Sequence, residues 1–274
     1  MDPSSLIDLD RYPIDRLDAP DGRALVDGLR HDLDAGALAF LPGFIRPQAL
    51  AALVADVEPL FPQAHRRDRM RTPYGWMDNS GFPEDHPRRA MHRNSGRTIT
   101  RDMLVDESTW PRLFEWPVLT EFVRRVLGFE TLHCSADPWL SLEFHIEAEN
   151  DQLAWHYDTN DGVVSLLLQS PDEGGDFEHV PFLRDENDEH YDEVARVFDG
   201  SSERIRRLPL EPGTFALFRG RRSIHRVAPV GHTAKPRLIA LFSYDREPGM
   251  VFPEATVKAV IDPDDTPHTG TPAS

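Results

Sequence analysis

Cysteine is almost absent: Cys134 is the one cysteine in 274 residues. That excludes an internal disulfide and a metal site built on several thiolates. In Leu132-His133-Cys134-Ser135 it reads as filler in a buried strand. Long hydrophobic runs are missing too, and none approaches the roughly 18 residues needed to span a bilayer. The opening Met-Asp-Pro-Ser-Ser-Leu-Ile has neither the basic start nor the apolar core of a secretory signal, so a cytoplasmic location is expected. Positive charge is scarce: 30 Lys and Arg stand against 47 Asp and Glu, a net charge of -17. Such a surface repels nucleic acid and anionic membranes, which leaves a small molecule as the expected partner. The basic exception is Arg66-Arg67-Asp68-Arg69-Met70-Arg71, which reads as a solvated loop, with gating of a substrate as the alternative. There is no internal repeat.

What is present suits one globular domain over 1–274, with 39% hydrophobic and 28% charged residues and no long linker. Residues 1–20 read as an extended arm with prolines at 3, 13 and 20. A helix is expected from about Asp21 to Ala35, with Leu25, Val26, Leu29 and Leu33 on one face. A short strand at 37–41 follows, and a second helix opens at Pro47. From 61 to about 106 the chain is polar and lacks periodicity, so it reads as a long loop, either a lid or disordered. Tyr74, Trp76, His92, Arg93 and Arg97 lie in it and suit a clamp on a small polar substrate. Helix returns at Pro117–Leu127, capped by Gly128, and closes a helical first part of about 1–128.

Beyond it the pattern changes to short strands, at about 129–135, 138–148, 153–159, 163–169, 176–181, 206–210, 214–219, 223–230 and 237–245. Turn-forming clusters separate them, and a helix at 187–198 interrupts them. The expected fold is therefore mainly β, a jelly-roll core over about 129–250 with N-terminal and flanking helices. Residues 262–274 read as a disordered tail.

The chemistry is concentrated in Trp155-His156-Tyr157-Asp158. In extended chain, side chains alternate between faces, so His156 and Asp158 point one way and Trp155 and Tyr157 the other. A distant His225 lies in another β-branched run, and Arg237 opens an apolar strand twelve residues later. Two imidazoles and one carboxylate with open positions are the ligand set of a mononuclear non-haem Fe(II) oxygenase. Arg237 offers a bidentate fork for a carboxylate co-substrate. Glu143 and His145 interrupt an apolar strand and are candidates to line the same cavity. With Arg93 and Arg97 they form the candidate substrate contacts. His133, His179, His190 and His232 read as structural, and so by default does His145, with the cavity role as its alternative.

Several blocks resemble the Fe(II)/2-oxoglutarate oxygenases, and within them the branch of free-amino-acid (lysine-type) radical halogenases and related hydroxylases. They are His156-Tyr-Asp158, Gly174-Gly175-Asp-Phe-Glu178, Phe218-Arg-Gly220-Arg and His225-Arg-Val. The resemblance runs over about 6–250. It implies a double-stranded β-helix, iron on His156, Asp158 and His225, and the far carboxylate of 2-oxoglutarate on Arg237. It also implies oxidative decarboxylation of 2-oxoglutarate by O2 to succinate and CO2, coupled to attack on an unactivated C–H bond. Halogenating relatives carry a small residue where Asp158 stands, so the expected activity is hydroxylation. The Asn and Thr that read lysine in such relatives have no obvious counterpart in Leu238–Ser243, so lysine itself is not implied, and the expected substrate is a free amino acid or amino-acid derivative.

Two readings from other classes stay open at this point. A zinc hydrolase could use the same three ligands but would have no need of Arg237. A non-enzymatic jelly-roll binding protein would need no metal at all.

Overall fold

The structure is a computed structural model that describes residues 1–75, 77–159, 163–208 and 210–262. The N-terminal part carries α1 (Pro3–Leu6), α2 (Pro20–Gly36), β1 (Leu38–Leu41), α3 (Pro47–Val57), β2 (His65–Arg71), β3 (His92–Ile99), α4 (Thr109–Phe114) and α5 (Pro117–Leu127). The strand-rich part follows with β4 (His133–Cys134), β5 (Leu142–Glu147), β6 (Leu153–His156), β7 (Val163–Gln169) and β8 (Phe177–Val180). It ends with α6 (Tyr191–Asp199), β9 (Arg206–Leu208), β10 (Phe215–Phe218), β11 (Ile224–Val227), β12 (Arg237–Asp245) and α7 (Glu254–Ile261).

Two antiparallel sheets make the jelly roll. The larger has eight strands in the order β1-β10-β7-β12-β5-β3-β2, with β4 on β12; the smaller has the order β6-β11-β8-β9. Because side chains alternate, each strand of the large sheet serves two environments. Leu142, Phe144 and Ile146 of β5, Leu238, Ala240 and Phe242 of β12, and Val164, Leu166 and Leu168 of β7 join one apolar core with the helices. Glu143, His145, Glu147, Arg237 and Ile239 are left on the opposite face, towards the small sheet.

The helices cover the apolar face because their own stripes match it. Val26, Leu29 and Leu33 of α2 and Leu119, Phe122, Val123 and Val126 of α5 are buried at helical spacing. Gly128 ends α5 at φ 75°, a left-handed cap whose N–H reaches the carbonyls of Arg124 and Arg125. Ring contacts lock the layers together: Phe44 stacks on Phe215 at 4.8 Å, and Trp110 meets Phe144 edge-on at 4.8 Å. A smaller apolar cluster, containing Tyr74, Trp155, Tyr157, Val194 and Ile224, joins α6 to the back of the small sheet.

The stretch 61–106 differs from the expectation of a loop. It supplies β2 and β3, which pair from His65↔Thr98 to Arg71↔His92 and extend the large sheet through β5. Its periodicity is written in charge, since Arg67, Arg69 and Arg71 recur every second residue. The strand expected at 129–135 shrinks to the two residues of β4, and 138–148 shrinks to β5, because 135–141 forms turns held by the Asp137 side chain on the amides of Trp139 and Leu140. The helices α4 and α7 were not expected, and the arm expected to be extended over 1–20 instead holds α1, opened by Pro3 and capped by the Asp2 side chain. Of the expected tail, Asp262 caps α7 and the remainder lies outside the described residues, as does Trp76.

Candidate metal centre and its surroundings

β6 and β11 are neighbours in the small sheet, and their register places His225 directly opposite His156. Sixty-nine positions of sequence are thereby reduced to one cross-strand pair, with ring centroids 4.0 Å apart. Asp158 follows β6 by two residues, and its backbone N–H donates to the Gly220 carbonyl at 3.2 Å. Its Oδ1 lies 3.8 Å from His156 Nε2 and 3.4 Å from His225 Nε2. One ligand atom from each of the three residues falls within 4.8 Å of the others, the only such group among the described residues.

The three side chains could hold a metal ion. His156 Nδ1 lies 2.8 Å from the Ala154 carbonyl and His225 Nδ1 3.0 Å from that of Ser223. Each carbonyl holds a proton on Nδ1 and so turns the Nε2 lone pair toward Asp158, the outer-shell arrangement typical of histidine ligands. Burial, reinforced by the neighbouring His225, holds His156 well below the ordinary histidine range and therefore neutral. Burial pushes Asp158 up, but His225 beside it more than offsets this, and the carboxyl falls below its ordinary value. A neutral imidazole and an ionised carboxylate are the states in which these groups bind a divalent cation. The donor set fits one metal ion on one face.

Between the two sheets opens a cavity of about 270 Å³, lined among others by Leu167, Asp172, Asp176, Phe177, Leu208 and Arg237 but by none of the three residues. Phe177, on its wall, also packs against His225, with centroids 5.7 Å apart. Arg237 is 3% exposed, and its Nη1 donates to Glu147 Oε2 at 3.0 Å. Glu147 is wholly buried, and its other oxygen lies 3.6 Å from Arg67 Nη2. Arg67 also donates to Thr98 and Asn94. Two guanidiniums thus share one carboxylate, and Arg237 is the member of the three that lines the cavity.

The four expected substrate contacts divide into two pairs. Glu143 and His145 lie half-buried on the inner face of β5, with His145 Nε2 3.6 Å from Glu143 Oε2. Arg93 and Arg97 lie elsewhere, contrary to expectation. Arg93 is committed to Asp68 at 2.7 and 2.8 Å and to the Asn150 carbonyl on the outer side of the β2–β3 pair. Arg97 is exposed and reaches only the Ala64 carbonyl, at 3.5 Å. Tyr74 belongs to the second apolar cluster, against Tyr157 and Tyr191, and His92 packs on Phe198. A further cation is Arg71, at the end of β2, from the basic run expected as a solvated loop or a substrate gate. It is close enough to His156 to depress it, and burial first, then Arg69 and Arg67, lower its own pKa to about 10. Among the described residues no carboxylate pairs with it. The period-two arginines of the basic run were its available signal.

The family model described as halogenase D matches residues 22–251. No curated protein matches the chain significantly. Among solved structures, the non-haem α-ketoglutarate-dependent carbocyclase SnoK of nogalamycin biosynthesis is 14% identical, with a TM-score of 0.56 over 88% of this chain and 93% of its own. The epimerase SnoN, solved with Fe3+, α-ketoglutarate and nogalamycin RO, is 17% identical, with a TM-score of 0.55 over 91% and 93%. HygX from Streptomyces hygroscopicus, solved with nickel, 2-oxoglutarate and hygromycin B, is 15% identical, with a TM-score of 0.52 over 79% and 86%. At these identities the likeness is one of fold. No described helix is long and apolar enough to cross a membrane. With the family match spanning most of its length, the chain belongs to the halogenase D family, within the Fe(II)/2-oxoglutarate oxygenase superfamily, whose reactions use Fe(II), 2-oxoglutarate and O2.

Proposed function

We propose that this oxygenase is a hydroxylase of a small carboxylate-bearing molecule, a free amino acid or a close derivative. His156, Asp158 and His225 would hold the iron, and Arg237 the far carboxylate of 2-oxoglutarate. The observation that carries hydroxylation is Asp158 itself, set against both imidazoles at 3.4 and 3.8 Å. A carboxylate there completes three protein ligands and takes the position a halide would need. The bound metal and co-substrate supply oxidation by O2, in which 2-oxoglutarate becomes succinate and CO2 and the substrate C–H becomes C–OH.

The chain's own residues bind and orient. Arg237 meets a carboxylate with the part of its fork that Glu147 does not use, and Leu167 and Phe177 exclude water along the cavity. Arg71, lacking a carboxylate of its own among the described residues, suits a substrate carboxylate near His156. Glu143 and His145 suit an ammonium group on the same inner face. Halogenation is the second reading, favoured by the description of the matching family; it requires a halide to displace Asp158 or bind beside it. The hydrolase and binding-protein readings gain no support from the comparisons.

The test is succinate formation by protein loaded anaerobically with Fe(II), then given O2 and 2-oxoglutarate with or without pooled amino acids. The expected result is stimulation by the pool, a product heavier by one oxygen, and at least a 100-fold loss in His225→Ala. Chlorinated product from the unaltered protein in chloride buffer overturns the hydroxylase assignment. Absence of both turnover and a 2-oxoglutarate-dependent Fe(II) charge-transfer band overturns the assignment of these residues to iron and co-substrate.

A further inference from the structure

We infer that Gly220 is a positioning residue for the metal: its missing side chain is the space in which the Asp158 carboxylate stands. The inference rests on the metal assignment just proposed and concerns a residue with no donor atom in its side chain. Gly220 opens the turn between β10 and β11 and is buried. Its φ lies outside the left-handed region, so its backbone asks for no glycine. Glycine in such a conformation only loses more entropy on folding than another residue would. The requirement is therefore spatial. A Cβ placed there would lie 1.9 Å from Asp158 Oδ2, 2.6 Å from Asp158 Cγ and 3.1 Å from His225 Cε1. The first two distances are far inside van der Waals contact, while the third asks a neighbour to yield only a few tenths of an ångström.

The same turn holds the ligands through its backbone. The Gly220 carbonyl accepts from the Asp158 N–H at 3.2 Å and from the Ser223 N–H at 3.4 Å. The Ser223 carbonyl in turn accepts from His225 Nδ1 at 3.0 Å. One four-residue turn thus fixes the backbone of the carboxylate ligand and the ring orientation of an imidazole ligand, and leaves a hollow for the carboxylate. Asp158 cannot simply retreat by a rotamer without leaving both Nε2 atoms, because its backbone is tied to Gly220.

The experiment is a calorimetric titration of the metal-free full-length protein with Fe(II) under anaerobic conditions, on four proteins: wild type, Gly220→Ala, Asp158→Gly and the double variant. Gly220→Ala is expected to weaken Fe(II) about 10- to 100-fold, the range seen when a group supporting a metal ligand is lost. In the Asp158→Gly background the same alanine is expected to change affinity less than about 3-fold, because the carboxylate it displaces is gone. Equal losses in both backgrounds, or unchanged binding by Gly220→Ala, overturn the inference and leave the metal assignment standing. A wild type that binds no Fe(II), like His225→Ala, overturns the metal assignment and this inference with it. If Gly220→Ala does not fold, recovery of a cooperative melting transition in the double variant supports the clash with Asp158. Failure to recover overturns it.

Discussion

The two faces of the large sheet are made by the same strands and have opposite characters. On β5, Leu142, Phe144 and Ile146 enter the apolar core, while Glu143, His145 and Glu147 face the small sheet. On β12, Leu238, Ala240 and Phe242 alternate with Arg237, Ile239 and Leu241. The outer face is closed by helices and supplies the free energy of burial, about 1.5–3 kcal/mol for each large apolar side chain. The inner face spends part of that stability on charges that are buried and incompletely paired. A period of two lets one segment carry both, with stability and chemistry in adjacent residues. The comparison teaches that substitutions one position apart are expected to fail in different ways.

The largest expected effect is on the outer face. Phe144 is fully buried and meets Trp110 edge-on, so Phe144→Ala is expected to lower the unfolding free energy by about 3–5 kcal/mol. Denaturant unfolding reads this, and Fe(II) affinity of the folded protein should stay within about 3-fold of wild type. A parallel loss of metal affinity would show that the faces are not separable.

One strand away, Arg237→Lys keeps the charge facing Glu147 but removes the fork. Its expected effect is a rise of about 10-fold in the 2-oxoglutarate KM with a smaller change in kcat, read from succinate formation against co-substrate concentration. Stability should move by less than about 1 kcal/mol. A changed kcat at unchanged KM would break the assignment of Arg237 to ground-state binding.

The smallest effect belongs to charges on the helical layer. Hydrogen bonds from Arg124 and then Arg125 hold the Glu121 carboxyl down at about 2 in the folded chain, against 4.5 ordinarily. The carboxyl is lowered, so the unfolded state takes up protons first as pH falls. Its contribution is present above about pH 4.5 and lost as pH falls towards 2. Glu121 is 39% exposed, and solvent screening keeps the contribution below about 1 kcal/mol. Glu121→Gln should therefore flatten that part of the stability–pH curve slightly and leave the curve above pH 5 unchanged in shape.

The contrast between the faces also explains how much of the molecule could be read from its sequence. The strands β7 and β12 were legible to the residue, because one of their faces is uniformly apolar between clear turns. His156 and Asp158 were legible as candidate ligands two apart in extended chain, and His225 as a third in another strand. Their meeting depends on the pairing of β6 with β11, which no local pattern specifies. β2 was not legible as a strand: its inward residues are arginines, so hydrophobicity gives no alternation. The assignment of Arg93 and Arg97 to the substrate went wrong for the same reason. Without the strand there is no face, and the inward cations of the hairpin are Arg67, Arg69 and Arg71 instead. α4 escaped notice because it has only six residues and carries Pro111.

The sharing of Glu147 between Arg67 and Arg237 has an electrostatic consequence. Glu147 is wholly buried and stands 3.0 Å from Arg237 and 3.6 Å from Arg67. It therefore works as a spacer between two like charges that would otherwise repel each other in a medium of low polarity. Neutralising it would leave both guanidiniums without that screen, so the placing of Arg237 depends on an acid it does not share with any guest.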